Sequence, residues 1–259
     1  MKKSVLLTLC LVIGMSLITS MAFAYTFAYT PGNGIAGTPH DLGSTGIGAA
    51  YGDSAEQTGL NRICIFCHAP HNTLSSTQAA NAQITYFPLW NLGVTTASYV
   101  MYTPGADMPS NTSHMSQAKA FFDASGNTRP GSVSRLCLSC HDGTVSTNSY
   151  GFYAASSQQT GADVNVVGTM YEIGGSNDLK NHHPIGFDYD TVQVTDDEIA
   201  VKTTVMAPGV RIADLLWAGN MECTTCHDVH NTKNPGAEKF LWKSDAGSEF
   251  CMTCHLKKE

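Results

Sequence analysis

The residues Cys223-Thr224-Thr225-Cys226-His227 follow the pattern Cys-x-x-Cys-His, which occurs four times in the chain. The cysteines of the four copies are Cys64, Cys67, Cys137, Cys140, Cys223, Cys226, Cys251 and Cys254, and the histidines are His68, His141, His227 and His255. Two cysteines three residues apart on a helical turn project to the same side, where both can bond the vinyl groups of one haem. The histidine that follows can then bind the iron. The pattern therefore predicts four covalently bound haem c groups.

Other uses of paired cysteines explain this pattern less well. Four disulfides do not require a histidine after every second cysteine. Two Cys₄ zinc sites leave four histidines at one fixed offset without a role. A redox-active dithiol needs one pair, not four. Haem attachment is the use that accounts for all the residues of the motif.

The first 24 residues read as a secretory signal peptide. Lys2 and Lys3 precede an apolar run, and Ala22-Phe23-Ala24 has the small-x-small form of a cleavage site. The ninth cysteine, Cys10, lies within this segment. No later stretch approaches the roughly 18–20 apolar residues that a membrane span needs. We expect an exported protein, extracellular on the outer cell surface or periplasmic, without a membrane span after cleavage.

The composition of the chain limits the kinds of partner that we expect the protein to bind. The 259 residues carry a net charge of −7 and are 42% hydrophobic and 14% charged, which excludes a typical disordered chain and argues against nucleic acid. Redox-protein donors and extracellular or periplasmic electron acceptors suit this surface better, and so do identical subunits.

Each haem iron has a second axial position, and six histidines outside the motifs could fill it: His40, His71, His114, His182, His183 and His230. His71 and His230 each lie three residues after a motif histidine. Neither can reach the opposite face of its own haem, because three residues cannot travel around a porphyrin ring. We expect each of them to bind a neighbouring haem. Methionine ligation remains an alternative, since ten methionines are present.

An internal repeat suggests how these ligands are shared. Residues 64–73 and 223–232 agree at six of ten positions, and each copy is followed by a simpler motif and preceded by a spare histidine. This divides the mature chain into residues 25–180, with haems 1 and 2, and 181–259, with haems 3 and 4. We assign His40 and His71 to the first half and His183 and His230 to the second. His71 and His230 then serve the second haem of their own half, His182 is the alternative to His183, and His114 is no ligand.

The segments between the motifs are polar and rich in turn residues, as in residues 91–113 and 142–180. Short helices are expected at 113–123 and at 196–202, where Thr195 and Glu198 have capping-box spacing, with a helical turn at each motif. The predicted fold is a multihaem cytochrome c: mostly irregular coil with short helices and few short strands, packed around a chain of four haems. Without haem, such a chain should be largely unfolded.

Several stretches carry a resemblance to a known family. They are Pro39–Leu42, Cys64–Thr73, Pro88–Asn91, Leu136–Tyr150 and His183–Phe187. They resemble exported multihaem c-type cytochromes of Geobacter-like metal-reducing anaerobes, and the layout is most similar to the OmcE-type outer-surface cytochromes that polymerise into conducting nanowires. The resemblance implies that one haem takes a ligand from the adjacent subunit, with His40 or His182 as the donor. It also implies that residues 25–38 form a subunit-linking arm.

These observations favour electron transfer over catalysis. When histidines fill both axial positions, no iron is left for a substrate, so we expect no enzymatic activity. The alternative is a multihaem reductase, which requires one open axial position with acid or base residues beside it. A third possibility is that filament assembly is the main role and conduction its consequence.

Overall fold

The computed structural model describes residues 33–43, 62–71, 73–75, 89–102, 121–122, 128–129, 132–147, 149, 171–232 and 239–256. The predicted signal peptide and His114 lie outside these residues, and so does the greater part of the helix expected at 113–123. Among the described residues, no helix is long and apolar enough to cross a membrane.

Regular structure is sparse, as the sequence predicted. The helices are α1 (Ser132–His141), α2 (Tyr189–Thr195), α3 (Ile212–Leu215), α4 (Cys223–Cys226) and α5 (Cys251–Cys254), with 3₁₀ turns at Gly175–Asn177 and Ala246–Ser248. The strands are β1 (Phe121–Phe122), β2 (Thr128–Arg129), β3 (Phe187–Asp188), β4 (Val205–Ala207), β5 (Val210–Arg211) and β6 (Asn220–Met221). They pair antiparallel as β1–β2, β3–β6 and β4–β5.

Two helix predictions are wrong within the described residues. Phe121–Phe122 is a strand, although the helix expected at 113–123 would include it. The helix expected at 196–202 lies instead at Tyr189–Thr195, where the Asp188 side chain accepts a hydrogen bond from the Thr191 N–H at 2.7 Å and caps the N-terminus. Asp196 then begins a turn, and the Ala200 N–H bonds the Cys254 carbonyl at 2.8 Å. Pairing with the fourth motif therefore replaces the expected helix.

The buried apolar residues gather where the motifs lie. One cluster lies beside Cys67 and Cys140 and consists of Leu74, Trp90, Leu92, Leu136 and Val145. A larger cluster, built mainly from β3, α2, β4 and α3, packs against Cys226 and Cys254. A third surrounds Leu138 between the cysteines of α1. Each cluster contains or contacts motif residues, as expected if the apolar groups pack around haem.

The two halves expected from the repeat are in contact. Gly34 and Asn231 exchange two hydrogen bonds of 2.8 Å, which fasten residues 33–43 to the loop after α4. The Cys223 N–H also donates to Ser134 Oγ of α1 at 3.0 Å. The division of the chain at residue 180 stays a prediction. The structure adds that residues on the two sides of this division form hydrogen bonds with each other.

Candidate haem-binding site

Each Cys-x-x-Cys-His motif forms a helical turn. The His N–H donates to the carbonyl of the first cysteine at 2.8 Å in His68, 3.0 Å in His227 and 2.9 Å in His255, and the second motif lies within α1. The two cysteines of a motif therefore lie on one face, with the histidine one turn beyond the first of them. The eight motif thiols are free, so none is used in a disulfide.

Three motif histidines face a histidine from a distant part of the chain. The ring centroids are 6.1 Å apart for His68 and His230, 6.0 Å for His141 and His40, and 6.2 Å for His255 and His183. Two metal–nitrogen bonds of about 2.0 Å each, together with the distance from each nitrogen to its ring centre, require a separation of about 6 Å. The three pairs therefore have the spacing that two imidazoles on opposite sides of one iron would have.

The pairing differs from the sequence assignment. His230 was expected to serve the second haem of its own half, but its ring faces His68 in the other half. His40 faces His141, and His183 faces His255. The exposed His71 and His182 face no other ring in the described part of the chain.

Within the part of the chain that the structure describes, His227 is the one motif histidine that no second imidazole faces. No other imidazole ring faces it among residues 33–43, 62–71 and the remaining described segments. Its Nδ1 lies 2.9 Å from the Lys239 carbonyl oxygen, which leaves Nε2 available as a ligand atom.

Backbone carbonyls fix the orientation of two further rings. The Nδ1 atoms of His141 and His183 lie 2.8 Å and 2.9 Å from the carbonyl oxygens of Tyr171 and Pro184. Since a carbonyl only accepts, each Nδ1 carries the proton and Nε2 keeps its lone pair for a metal. Metal-ligating histidines in proteins commonly have such a partner.

His40 is held in the neutral form that a ligand requires. Its ring stacks on Phe240 with centroids 4.7 Å apart and hydrogen-bonds the Val229 backbone. Burial, followed by the neighbouring His141, lowers the pKa of His40 to about 4. The next residue, Asp41, accepts hydrogen bonds from the N–H groups of Gly37 at 2.8 Å and Gly43 at 3.0 Å, which fixes the loop that carries His40.

Cysteines of successive motifs are neighbours. Cys67 and Cys140 pack on the same apolar cluster, and burial together with the Cys67 thiol raises the pKa of Cys140. The thiols of Cys137 and Cys223 hydrogen-bond each other. Burial, followed by the Cys254 thiol, raises the pKa of Cys226 to about 12. The motifs therefore follow one another in space in the same order as in the chain, which the sequence could not predict.

One buried polar atom tests whether these surroundings suit a haem. Trp90 is 8% exposed, and its Nε1 has no hydrogen-bond partner in the described residues. The indole stands edge-on to His68, with ring centroids 6.4 Å apart. A buried donor without an acceptor costs about 1–3 kcal/mol. Haem bound at His68 brings carboxylates that can accept this N–H, so the residue fits such a group.

A family model described as a doubled CXXCH motif matches residues 218–259. This segment carries a paired c-type haem attachment motif. The match covers the third and fourth Cys-x-x-Cys-His copies, and it indicates a haem-binding cytochrome whose haem is held covalently. No curated protein and no solved structure matches the chain.

The described residues offer no competing metal site. No group of three or more histidine, cysteine, aspartate or glutamate side chains converges within them, as the ligands of a structural zinc ion would. The donors come instead as opposed pairs of imidazoles.

Sequence reasoning missed two residues around the motifs. Phe240, which stacks on His40, has a positive φ of 58°, a conformation that no local feature of the sequence indicates. Glu222 is fully buried directly before Cys223. An acidic residue at the start of a helical turn was the available signal, but it is more often an exposed cap.

Proposed function

We propose that this protein is an exported, non-enzymatic electron carrier with four haem c groups, one at each Cys-x-x-Cys-His motif. When bound, each haem supplies a one-electron ferric/ferrous couple. The observation that carries the proposal is the set of three histidine pairs, all with centroids 6.0–6.2 Å apart and each with one member from a motif.

The chain's own residues then have defined roles. Each pair of cysteines would hold one haem, and the motif histidine would bind its iron. The second histidine at each iron would be His230 at the site of His68, His40 at that of His141, and His183 at that of His255. Histidine on both sides favours a lower potential than His/Met ligation and leaves no iron position for a substrate.

The cysteine contacts support an arrangement in which the four haem sites lie in a single row, or file. Cys67 with Cys140, Cys137 with Cys223, and Cys226 with Cys254 join the first site to the second, the second to the third and the third to the fourth. Apolar clusters lie at the first and the third of these junctions, beside Cys67 and Cys140 and beside Cys226 and Cys254. Electrons can therefore pass from either end of the file to the other.

The site of His227 suggests that the protein assembles with further copies of itself. With His40 facing His141, the exposed His71 and His182 remain as unused ligands in the described chain. We propose that a second copy of the chain supplies the missing ligand to the site of His227. Repetition of that contact would join the files into the nanowire that the family resemblance implies. The partners would be identical subunits, redox-protein donors and acceptors at the outer cell surface or in the periplasm.

The same observation favours the alternative function. A multihaem reductase needs one open axial position, and the site of His227 would provide it if no second copy bound there. The two candidates make opposite predictions for the state of this iron at high protein concentration.

Low-temperature EPR over a concentration series separates them. The proposal predicts four low-spin irons per chain in the assembled protein, and one high-spin iron in four on dilution to monomers. His71→Ala and His182→Ala form a matched pair, of which one should keep the high-spin signal at every concentration. A high-spin iron that binds carbon monoxide at all concentrations of the unaltered protein would establish the reductase instead.

A further inference from the structure

Glu222 is a fully buried acidic residue whose side chain has no exposed surface. It directly precedes Cys223 at the start of α4. Glutamate is almost never buried to this extent unless it is paired, because taking a charge out of water is costly. A carboxylate at this place therefore calls for a physical role beyond a helix cap.

The contacts of Glu222 lie between the second and third haem-attachment motifs. Ser134 Oγ donates a hydrogen bond to Glu222 Oε2, and Ser134 Oγ also accepts the Cys223 N–H at 3.0 Å. Ser134 is one helical turn before Cys137 on α1, so both side chains lie on the same face. The Cys137 thiol in turn hydrogen-bonds the Cys223 thiol. One carboxylate thus adjoins the first cysteine of two motifs.

Arg135 is a buried cation of α1, next to Ser134 in the chain. Arg135 donates to the Thr95 carbonyl at 2.8 Å and also to that of Ala97, where its charge acts on Tyr99. Glu222, by contrast, acts electrostatically on both Cys137 and Cys223. Buried charges interact strongly because little water screens them. Glu222 therefore acts on the first cysteine of both the second and the third motif.

We propose that Glu222 is a positioning residue that lowers the reduction potentials of the haems attached at Cys137–Cys140 and Cys223–Cys226. Reduction adds one electron to a ferric iron and makes the site more negative by one charge. A fixed carboxylate beside both attachments opposes that change. The inference rests on the proposed function, since it requires haem at these two motifs.

The test is a spectroelectrochemical titration of the haem-loaded protein, with dithionite as the external electron donor. Glu222→Gln removes the charge and keeps the shape. At a fixed applied potential, the ratio of reduced to oxidised haem should rise about tenfold for two of the four haems, a shift of 59 mV for one electron. Glu222→Asp should restore the original potentials, and Glu249→Gln, a control at a side chain 58% exposed, should leave them unchanged.

Ser134→Ala supplies a second and opposite test, and it also serves if the Glu222→Gln variant does not accumulate. It removes the hydrogen bond that partly neutralises the carboxylate, so the same two potentials should fall. A purely structural role would let water in and move the potentials of both variants in the same direction. That result, or unchanged potentials in Glu222→Gln, would overturn the inference. The haem-to-chain ratio of the same samples reports separately on the proposed function.

Discussion

The pairing of His230 with His68 joins the two halves of the chain and can be broken by one substitution. His230→Ala removes the imidazole whose centroid is 6.1 Å from that of His68 and leaves the loop that carries it in place. Asp228 holds that loop by accepting the N–H groups of His230 at 3.2 Å and Thr232 at 2.7 Å. The backbone should therefore keep its path and open one axial position.

The expected fraction of high-spin haem follows from the number of haem sites in the chain. One iron of four should change from low to high spin, so about a quarter of the haem should bind carbon monoxide after reduction. EPR and carbon monoxide difference spectra measure this fraction in the assembled protein. His114→Ala, at a histidine predicted to be no ligand, is the matched control and should leave every iron low-spin.

The same substitution in a chain that lacks the first haem identifies which iron loses its ligand. In a chain with Cys64→Ser and Cys67→Ser, the first motif cannot attach haem, and three haems should remain. His230→Ala should then open no further site, because its haem is already missing. If it still produces one high-spin haem, His230 serves another iron and the inferred pairing is refuted.

Three further predictions concern stability. Trp90→Phe should lower the unfolding free energy of the haem-loaded protein by about 1.5 kcal/mol in guanidinium titrations, because a hydrogen bond to a haem carboxylate is lost; unchanged stability would argue against that bond. Asp188→Ala removes the side chain that caps the Thr191 N–H and should lower the unfolding free energy by about 1 kcal/mol. Asp190→Ala, which breaks the exposed ion pair with Lys202, should lower it by about 0.2–1 kcal/mol; a smaller thermal shift for Asp188→Ala than for Asp190→Ala would contradict the capping role. Protein made without haem attachment should lack a cooperative melt by circular dichroism, and a sharp transition would show that the chain folds alone.

The local parts of the site could be predicted from the sequence. A Cys-x-x-Cys-His segment determines its own helical turn, because the spacing of its residues matches one turn and the haem attachment requires it. The polar, turn-rich segments likewise gave the sparse regular structure. These features depend on neighbours within a few residues, such as the bond from the His68 N–H to the Cys64 carbonyl.

The non-local parts could not be predicted. His230 was assigned to its own half because the repeat suggested two self-contained units, but the bonds between Gly34 and Asn231 tie the loop after α4 to the N-terminal segment. The helix expected after Thr195 was replaced by pairing with the fourth motif, in which the Ala200 N–H bonds the Cys254 carbonyl. In both cases tertiary contacts decided between local choices that the sequence leaves nearly equal in energy.

The most direct measurement of the central claim is the intact mass of the purified protein, together with a thiol titration of the denatured chain. Four attached haems and no reactive thiol in the mature chain are predicted, because all eight motif cysteines would be in thioether bonds. A mass equal to the polypeptide alone, or eight titratable thiols, would contradict it.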